Sequence, residues 1–215
     1  GTSHKYVSEQ AIAYLNGQSS KIISVHLGNG CSATAIKNGK SVDHSMGFSP
    51  TNGLIMGTRS GDIDHSVIFH LMNRLEMSAD QVNNLLQKQS GLLGLTGHSD
   101  LREIQNGAED GNLDCQLALT LTAYRIKKFI GSYIAVLNGA DAILFTGGIG
   151  ENSSVLREMI CEDMEVLGIQ IDPAKNNQRS SGILEIQKSE SIVKLLVVPT
   201  NEELEIARQA YHLTM

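Results

Sequence analysis

Residues 21–46 read KIISVHLGNGCSATAIKNGKSVDHSM, and this stretch sets the fold of the chain. Lys21 to Leu27 is rich in β-branched residues and ends in a glycine-rich turn, which is typical of a strand. Cys31 to Lys37 alternates and ends at Asn38-Gly39, a dipeptide that favours a tight β-hairpin. Ser41 to Met46 then predicts the return strand. The chain is therefore expected to contain a three-stranded meander.

Outward from the meander, apolar periodicity predicts helices and further strands. Helices are expected at 5–16, from Asp62 or Asp64 to about Leu75, at Ser78–Leu86, Leu113–Leu137 and Ser153–Leu167, and from Glu202 to about Tyr211. Buried strands are expected at Ala140–Phe145 and Ile192–Val198. Gly91–Gly97 is predicted to be an apolar link broken by glycines, and His98–Arg102 a polar loop. This order of elements indicates one mixed α/β domain.

The charge balance limits the classes of partner. The 215 residues carry a net charge of −6 at pH 7, which argues against nucleic acid as the main partner because nucleic-acid binding needs a basic face. A nucleotide site needs only local positive potential and stays open. The sequence has no long apolar run and no signal peptide. We therefore expect a cytoplasmic location and no membrane role.

Three cysteines, Cys31, Cys115 and Cys161, are widely spaced. They form neither a CxxC pair nor a Cys/His ligand pattern, so a disulfide framework and a zinc site are both disfavoured. We expect reduced, buried thiols.

Two glycine-rich loops lie next to predicted strands. Successive amides of His26-Leu27-Gly28-Asn29-Gly30 can form a concave site for an anion, although a plain hairpin turn explains the same residues. Thr146-Gly147-Gly148-Ile149-Gly150-Glu151-Asn152 joins a buried strand to a helix, where backbone N–H groups suit a nucleotide. Its glycine spacing does not match the dinucleotide GxGxxG pattern, and an unliganded turn remains the alternative.

The third loop, Gly53 to Asp64, places one arginine among glycines and small hydroxyl residues. The planar guanidinium of Arg59 suits carboxylate or phosphate oxygens. The alternative is a structural ion pair between Arg59 and Asp62 or Asp64. Near the C-terminus, Glu202 and Glu203 lie at a helix start, where capping alone also explains them.

Taken together, these segments resemble the acetate kinase family. The resemblance rests on GTSHKYV at 1–7, the loops at 26–30, 57–64 and 146–152, and TNEE at 200–203. It implies an α/β fold with an RNase H-like mixed sheet flanked by helices, as in the actin, Hsp70 and sugar kinase superfamily. Proteins of this superfamily have two domains of similar topology and bind ATP in the cleft between them.

The resemblance covers only the second half of such an enzyme. It implies that residues 1–215 are the C-terminal nucleotide-binding domain and that the N-terminal domain is absent from this chain. The family normally has a phenylalanine and a catalytic histidine directly before Gly1, so the chain alone is expected to be nearly inert. His65 stands where the family usually has proline, and Glu103 where aspartate is frequent.

The resemblance also implies roles for individual residues. Arg59 would bind the transferring phosphoryl group and the acyl carboxylate, Pro50 would line the pocket for the acyl methyl group, and Glu202 would position Mg²⁺ through water. Binding of ATP or ADP would fall to His26, Gly28, Asn29, Gly30, Asp100, Leu101, Arg102, Gly147, Gly148, Ile149, Gly150 and Asn152.

The implied reaction is reversible transfer of the ATP γ-phosphate to the carboxylate of acetate, giving acetyl phosphate and ADP. A carboxylate is already a competent nucleophile, so catalysis would rest on positioning and charge stabilisation. Propionate kinase is the alternative in the same class. As an isolated fragment, the chain could instead be a non-catalytic module that binds nucleotide and dimerises. The family implies a homodimer, to which the helix Leu113–Leu137 could contribute.

Overall fold

The computed structural model describes residues 1–17 and 21–214 and divides into two compact units. The first unit comprises Gly1–Leu27, Ala33–His44 and Ile126–Met215. The second comprises Gly28–Ser32 and Ser45–Arg125. The expectation that residues 1–215 act as one nucleotide-binding domain stays a prediction.

A mixed sheet forms the centre of the first unit. Its strands are β1 (Lys21–Leu27), β2 (Cys31–Lys37), β3 (Lys40–His44), β4 (Ala142–Thr146), β5 (Leu184–Glu185) and β6 (Lys194–Val197). They lie in the order β3-β2-β1-β4-β6-β5, with β1, β4 and β6 parallel and the outer pairs β2–β3 and β5–β6 antiparallel. The predicted RNase H-like mixed sheet is thus confirmed.

The meander follows the sequence prediction closely. Asn38 and Gly39 both have positive φ, 52° and 74°, as a two-residue turn that matches the strand twist requires. The return strand β3 ends at His44 and not at Met46. The two-residue strand β5 was not predicted, because so short a run shows no alternation.

The helices are α1 (Thr2–Tyr14), α2 (Ser66–Arg74), α3 (Ala79–Lys88), α4 (Gly91–Thr96), α5 (Leu101–Glu109), α6 (Leu113–Leu137), α7 (Gly147–Asn152), α8 (Ser154–Cys161), α9 (Pro173–Asn176) and α10 (Glu202–Thr214). The boundary between the units falls within α6. No helix among the described residues is long and apolar enough to cross a membrane.

Helices cover both faces of the sheet. Val7 and Ala11 of α1 pack in one core cluster with Ile22, Leu144 and other buried residues of the strands. Phe145, which alternates with Leu144 along β4 and so lies on the other face of the sheet, is also fully buried. On α6, the Tyr133 hydroxyl donates to the Ala33 carbonyl at 3.4 Å. Burial on both faces explains why the parallel strands read as continuous apolar runs.

The second unit contains two helices that the sequence patterns did not predict. The predicted link Gly91–Gly97 is wrong, because residues 91–96 form α4, which ends at Gly97 in the left-handed conformation (φ 81°). The predicted loop at 98–102 is wrong from Leu101 onward, because Asp100 caps α5 by accepting from the Arg102 amide. The sequence patterns did not predict α4 because this six-residue helix contains glycine, and they did not predict α5 because its first turn is polar.

The predicted helix Ser153–Leu167 is also wrong as a single element. It consists of α8 and a 3-10 turn at Glu165–Leu167, preceded by α7. Ser153 caps α8 through the Leu156 amide, and Asp163 has a φ of 54°, which a continuous helix cannot accommodate.

Candidate functional site

The arginine loop of the second unit is held by the start of α4. The amides of Leu92 and Leu93 donate to the carbonyls of Met56 and Gly57, each at 2.9 Å. Gly91 has a φ of 62°, and a Cβ there would lie 2.1 Å from the Met56 carbonyl oxygen. The chain therefore needs glycine at position 91 for α4 and the loop to approach this closely.

Arg59 has no carboxylate partner among the described residues. Its Nη1 donates to the Pro50 carbonyl at 3.0 Å and lies 3.8 Å from the Met56 sulfur. Asp62 pairs instead with Arg125 at 3.1 Å, and Asp64 accepts from the Ser66 amide at 2.8 Å. The alternative of a structural Arg59 bridge to either aspartate is thus wrong. The uncompensated guanidinium keeps donors for an anionic ligand.

Asn29 and Gly30 lie beside this loop. The Gly57 amide donates to the Asn29 carbonyl at 3.0 Å, and a Cβ on Gly57 would lie 2.2 Å from Asn29 Oδ1. A Cβ on Gly30 would lie 3.5 Å from Arg59 Nη1. The structure thus brings Asn29, Gly30, Pro50 and Arg59 together, with glycines where side chains would crowd them.

The thiol next to this turn is structural. Cys31 Sγ donates to the Gly28 carbonyl at 3.2 Å, and the Gly28 amide donates to Gly30 O at 3.2 Å. Burial raises the pKa of Cys31 to about 11, so the thiol stays protonated. Cys115 and Cys161 are likewise buried and free.

Asp100, Leu101 and Arg102 occupy the start of α5. Arg102 Nη2 lies 2.6 Å from Asp100 Oδ2, and the hydrogen bonds from Arg102 lower the pKa of Asp100 to about 2. The Arg102 side chain is 87% exposed, whereas Leu101 is buried. The pair offers a fixed polar edge to a ligand, and Leu101 anchors that edge to the core.

The glycine loop of the first unit follows β4 and begins in close contact with β1. Gly147 has a φ of 80°, and a Cβ there would lie 2.7 Å from the Leu27 carbonyl oxygen and 3.0 Å from His26 Nε2. The close approach of the loop to the end of β1 therefore requires glycine at position 147.

The rest of this loop forms the short helix α7. Gly148 is exposed, and nothing lies within 4 Å of the position that a Cβ would take, so a ligand can approach its backbone. Ile149 is half-buried, and a Cβ on Gly150 would lie 3.4 Å from the Phe145 carbonyl carbon. Asn152 Nδ2 donates to the Gly148 carbonyl at 2.8 Å. The loop thus combines an open backbone at Gly148 with an amide side chain beside it.

His26 lies at the end of β1 in a polar chain. Its Nδ1 is 2.8 Å from Ser3 Oγ, which is 3.0 Å from Thr200 Oγ1. Burial lowers the pKa of His26, while the carboxylates of Glu202 and Glu151 act in the opposite direction. The ring is therefore neutral, and its Nε2 lies toward Gly147.

Glu202 begins α10 and is exposed. No cluster of three or more His, Cys, Asp or Glu ligands occurs in the described part of the chain. One carboxylate ligand is enough for a cation that takes most of its ligands from water and substrate phosphates, as Mg²⁺ does.

Two residues near α7 were not predicted as part of the site. Glu151 Oε1 accepts from the amides of Gly147 and Thr200, each at 3.1 Å. Arg157 is 2% exposed and donates to the carbonyls of Gly150 and Glu151 at 2.8 and 3.0 Å. Burial lowers the pKa of Arg157 to about 10. Their signal in the sequence is only their position in or after the glycine loop, because their partners are set by tertiary structure.

Comparison with known proteins gives one consistent family. A profile described as "Acetokinase family" matches residues 1–208. The acetate kinase of Flavobacterium johnsoniae is 64% identical over 213 residues, covering 99% of this chain and 54% of that protein. The chain thus spans about half the length of the curated relatives it matches.

Solved structures of an acetate kinase and a propionate kinase also match the chain. The crystal structure of Porphyromonas gingivalis acetate kinase matches with a TM-score of 0.95 and 45% identity, covering 100% of this chain and 55% of that one. A propionate kinase from Francisella tularensis matches with a TM-score of 0.92 and 46% identity, covering 97% and 53%.

Proposed function

Because the chain belongs to the acetokinase family, we propose that it carries the nucleotide- and phosphate-binding residues of an acetate kinase. Phosphoryl transfer is proposed for the whole protein, since the curated relatives are nearly twice as long. Nucleotide binding is proposed for the chain itself. The observation that carries the proposal is the uncompensated guanidinium of Arg59 in a loop lined by glycines.

Arg59 would stabilise the charge that spreads over the equatorial oxygens of the phosphoryl group during transfer. Its Nη1 is already oriented by the Pro50 carbonyl, so the guanidinium is partly preorganised. The acyl carboxylate attacks the γ-phosphorus, the bond to the β–γ bridging oxygen breaks, and ADP leaves. Asn29 and Gly30 would hold the phosphate oxygens through side-chain and backbone donors.

Glu202 would hold Mg²⁺ through water, and the ion would neutralise phosphate charge. Support for this role comes from the exposed position of Glu202 and its electrostatic effect on His26. His26, as a neutral ring, would hold the loop at Gly147 in place.

For the adenosine part, we propose two sets of contacts. The fixed polar edge of Asp100 and Arg102 supports the first, with Leu101 beneath it. The second is the loop at 147–152, namely Gly147, Gly148, Ile149, Gly150 and Asn152, where the open face of Gly148 admits a ligand.

Acetate is the preferred substrate in this proposal, and propionate is the second candidate because a propionate kinase matches the chain at 46% identity. Comparing kcat/KM for acetate and propionate in the whole protein decides between them. We further propose that the protein forms a homodimer. Leu113 and Leu117, exposed one turn apart on α6, support this assembly, and sedimentation measures it.

Calorimetric titration with MgADP tests nucleotide binding by the chain. Gly148→Asp should weaken ADP binding about tenfold or more, because the new side chain would fill the open space at Gly148 where the adenosine part is proposed to bind. Gly182→Asp is the matched control, since Gly182 is also exposed with open space around its Cβ position. Absence of ADP binding to the unaltered chain at millimolar nucleotide contradicts the proposed function.

A further inference from the structure

Glu151 connects two segments that are far apart in the sequence. Its Oε1 accepts from the Gly147 amide, at the start of the glycine loop, and from the Thr200 amide, in the segment that leads to Glu202. We call this pair of bonds the Glu151 bridge. One carboxylate oxygen thereby satisfies two backbone donors that flank the candidate nucleotide and metal residues.

The same connection extends to His26. Thr200 Oγ1 lies 3.0 Å from Ser3 Oγ, which lies 2.8 Å from His26 Nδ1. The other edge of the ring lies next to the glycine loop, since His26 Nε2 lies 3.0 Å from the position that a Cβ on Gly147 would take. Hydrogen bonds and this close approach thus link four segments: the start of α1, the end of β1, the start of α7 and the segment before α10.

The start of α7 depends on this carboxylate. The N-cap residue Thr146 makes no side-chain capping bond, and its buried Oγ1 has no hydrogen-bond partner among the described residues. A helix start needs acceptors for its free amides. Glu151 supplies one to Gly147 from the other end of the same short helix.

From this geometry we propose that Glu151 is a positioning residue. It holds the loop 147–152 and the segment 200–202 in one arrangement, so that both present their groups to the same nucleotide. This inference rests on the proposed function for the identity of the ligand. The bridge itself is a property of the chain without ligand, so it can be tested separately.

The first test follows amide hydrogen exchange by NMR in the 215-residue chain without nucleotide. In Glu151→Ala, the amides of Gly147 and Thr200 should exchange about tenfold faster or more, because both lose their acceptor. Glu151→Gln keeps a carbonyl oxygen at the same place and should restore most of the protection. Glu158→Gln, on the exposed side of α8, is the control. Unchanged exchange in Glu151→Ala overturns the proposal.

The second test separates charge from geometry. Glu151→Gln keeps the acceptor but removes a carboxylate that counters the effect of burial on His26, so the pKa of His26 should fall further, as measured by ring-proton NMR. The other titratable groups near the ring, namely Glu202, the N-terminal amino group and His4, are unchanged in the variant. An unchanged pKa of His26 in Glu151→Gln contradicts a charged Glu151 carboxylate near this ring.

The third test measures ADP affinity. Glu151→Ala should bind ADP about fivefold or more weakly, and Glu151→Gln should recover most of the loss. Equal affinity of Glu151→Ala and the unaltered chain overturns the positioning role. If the unaltered chain binds no ADP, the proposed function fails, and the exchange and titration results still decide whether the bridge exists. If Glu151→Ala does not fold, Glu151→Asp, whose shorter side chain withdraws the acceptor from the Gly147 and Thr200 amides, takes its place in the exchange and affinity measurements with the same expected losses.

Discussion

At the scale of single residues, Arg59 shows how a charged side chain is kept available. Its nearest carboxylates in the sequence, Asp62 and Asp64, are occupied by Arg125 and the Ser66 amide. The guanidinium is left with a backbone carbonyl and a thioether, neither of which neutralises it. This arrangement suits a site that must attract and orient anions.

The first prediction concerns this guanidinium. In the whole protein, Arg59→Ala should lower kcat by about 10²–10³, the typical effect of losing one preorganised donor. Arg59→Lys should recover only part of the rate, because an ammonium cannot form the planar fork. Acetyl phosphate formation, trapped as the hydroxamate, provides the measurement. Arg74→Ala, at the exposed end of α2, is the control, and a kcat of Arg59→Ala equal to that of the control contradicts the role.

At the scale of elements, α4 serves as a support for the arginine loop. Its first amides bind the carbonyls of Met56 and Gly57, so the start of the helix is used to fix backbone rather than ligand. Glycine at 91 makes this contact possible because its Cβ position is filled by the Met56 and Arg59 carbonyl oxygens, at 2.1 and 2.6 Å. The loop geometry thus depends on a short helix that lies well beyond it along the chain.

The second prediction tests that support. Gly91→Ala should lower the free energy of unfolding by about 2–4 kcal/mol, since the new Cβ meets backbone and the left-handed φ is strained. Gly131→Ala is the matched control: Gly131 lies inside α6 with nothing within 4 Å of its Cβ position, so alanine there should raise stability by about 0.5–1 kcal/mol. Urea unfolding measures both, and equal effects of the two substitutions contradict the account.

At the scale of the whole molecule, buried histidine makes stability depend on pH. His4 is 7% exposed, its Nδ1 lies 2.8 Å from Ser24 Oγ, and burial lowers its pKa from 6.5 to about 3. Between these two values the unfolded chain binds a proton at His4 that the folded chain does not. Stability from this group is therefore complete above the unfolded pKa and is lost as the pH falls toward the folded one.

The third prediction follows from this sign. Between about pH 6 and 4 the free energy of unfolding should fall by up to about 1.4 kcal/mol per pH unit from His4. His4→Gln should flatten this slope, and His65→Gln, whose side chain is 86% exposed, should leave it unchanged. Urea unfolding at several pH values provides the measurement, and equal slopes in the unaltered chain and His4→Gln contradict the assignment.

Most of the sheet and the long helix could be predicted from the sequence. Strands β1 and β2 and helix α6 have the predicted bounds, because alternation, continuous apolar runs and the Asn-Gly turn are local signals. The helices α4 and α5 could not be predicted this way. Their glycines and polar first turns favour a loop locally. Contacts with the arginine loop, capping by Asp100 and the burial of Leu92, Leu101 and Ile104 stabilise them.

The sequence by itself determined the fold class, the family and the three glycine-rich loops, since each depends on residues that are neighbours along the chain. Only the tertiary structure decided what those residues contact. It left Arg59 without a carboxylate among the described residues and joined Glu151 to Thr200, which is 49 positions away. The physical reason is that a hydrogen bond or ion pair depends on distances of a few ångströms, and folding sets these distances independently of separation along the chain.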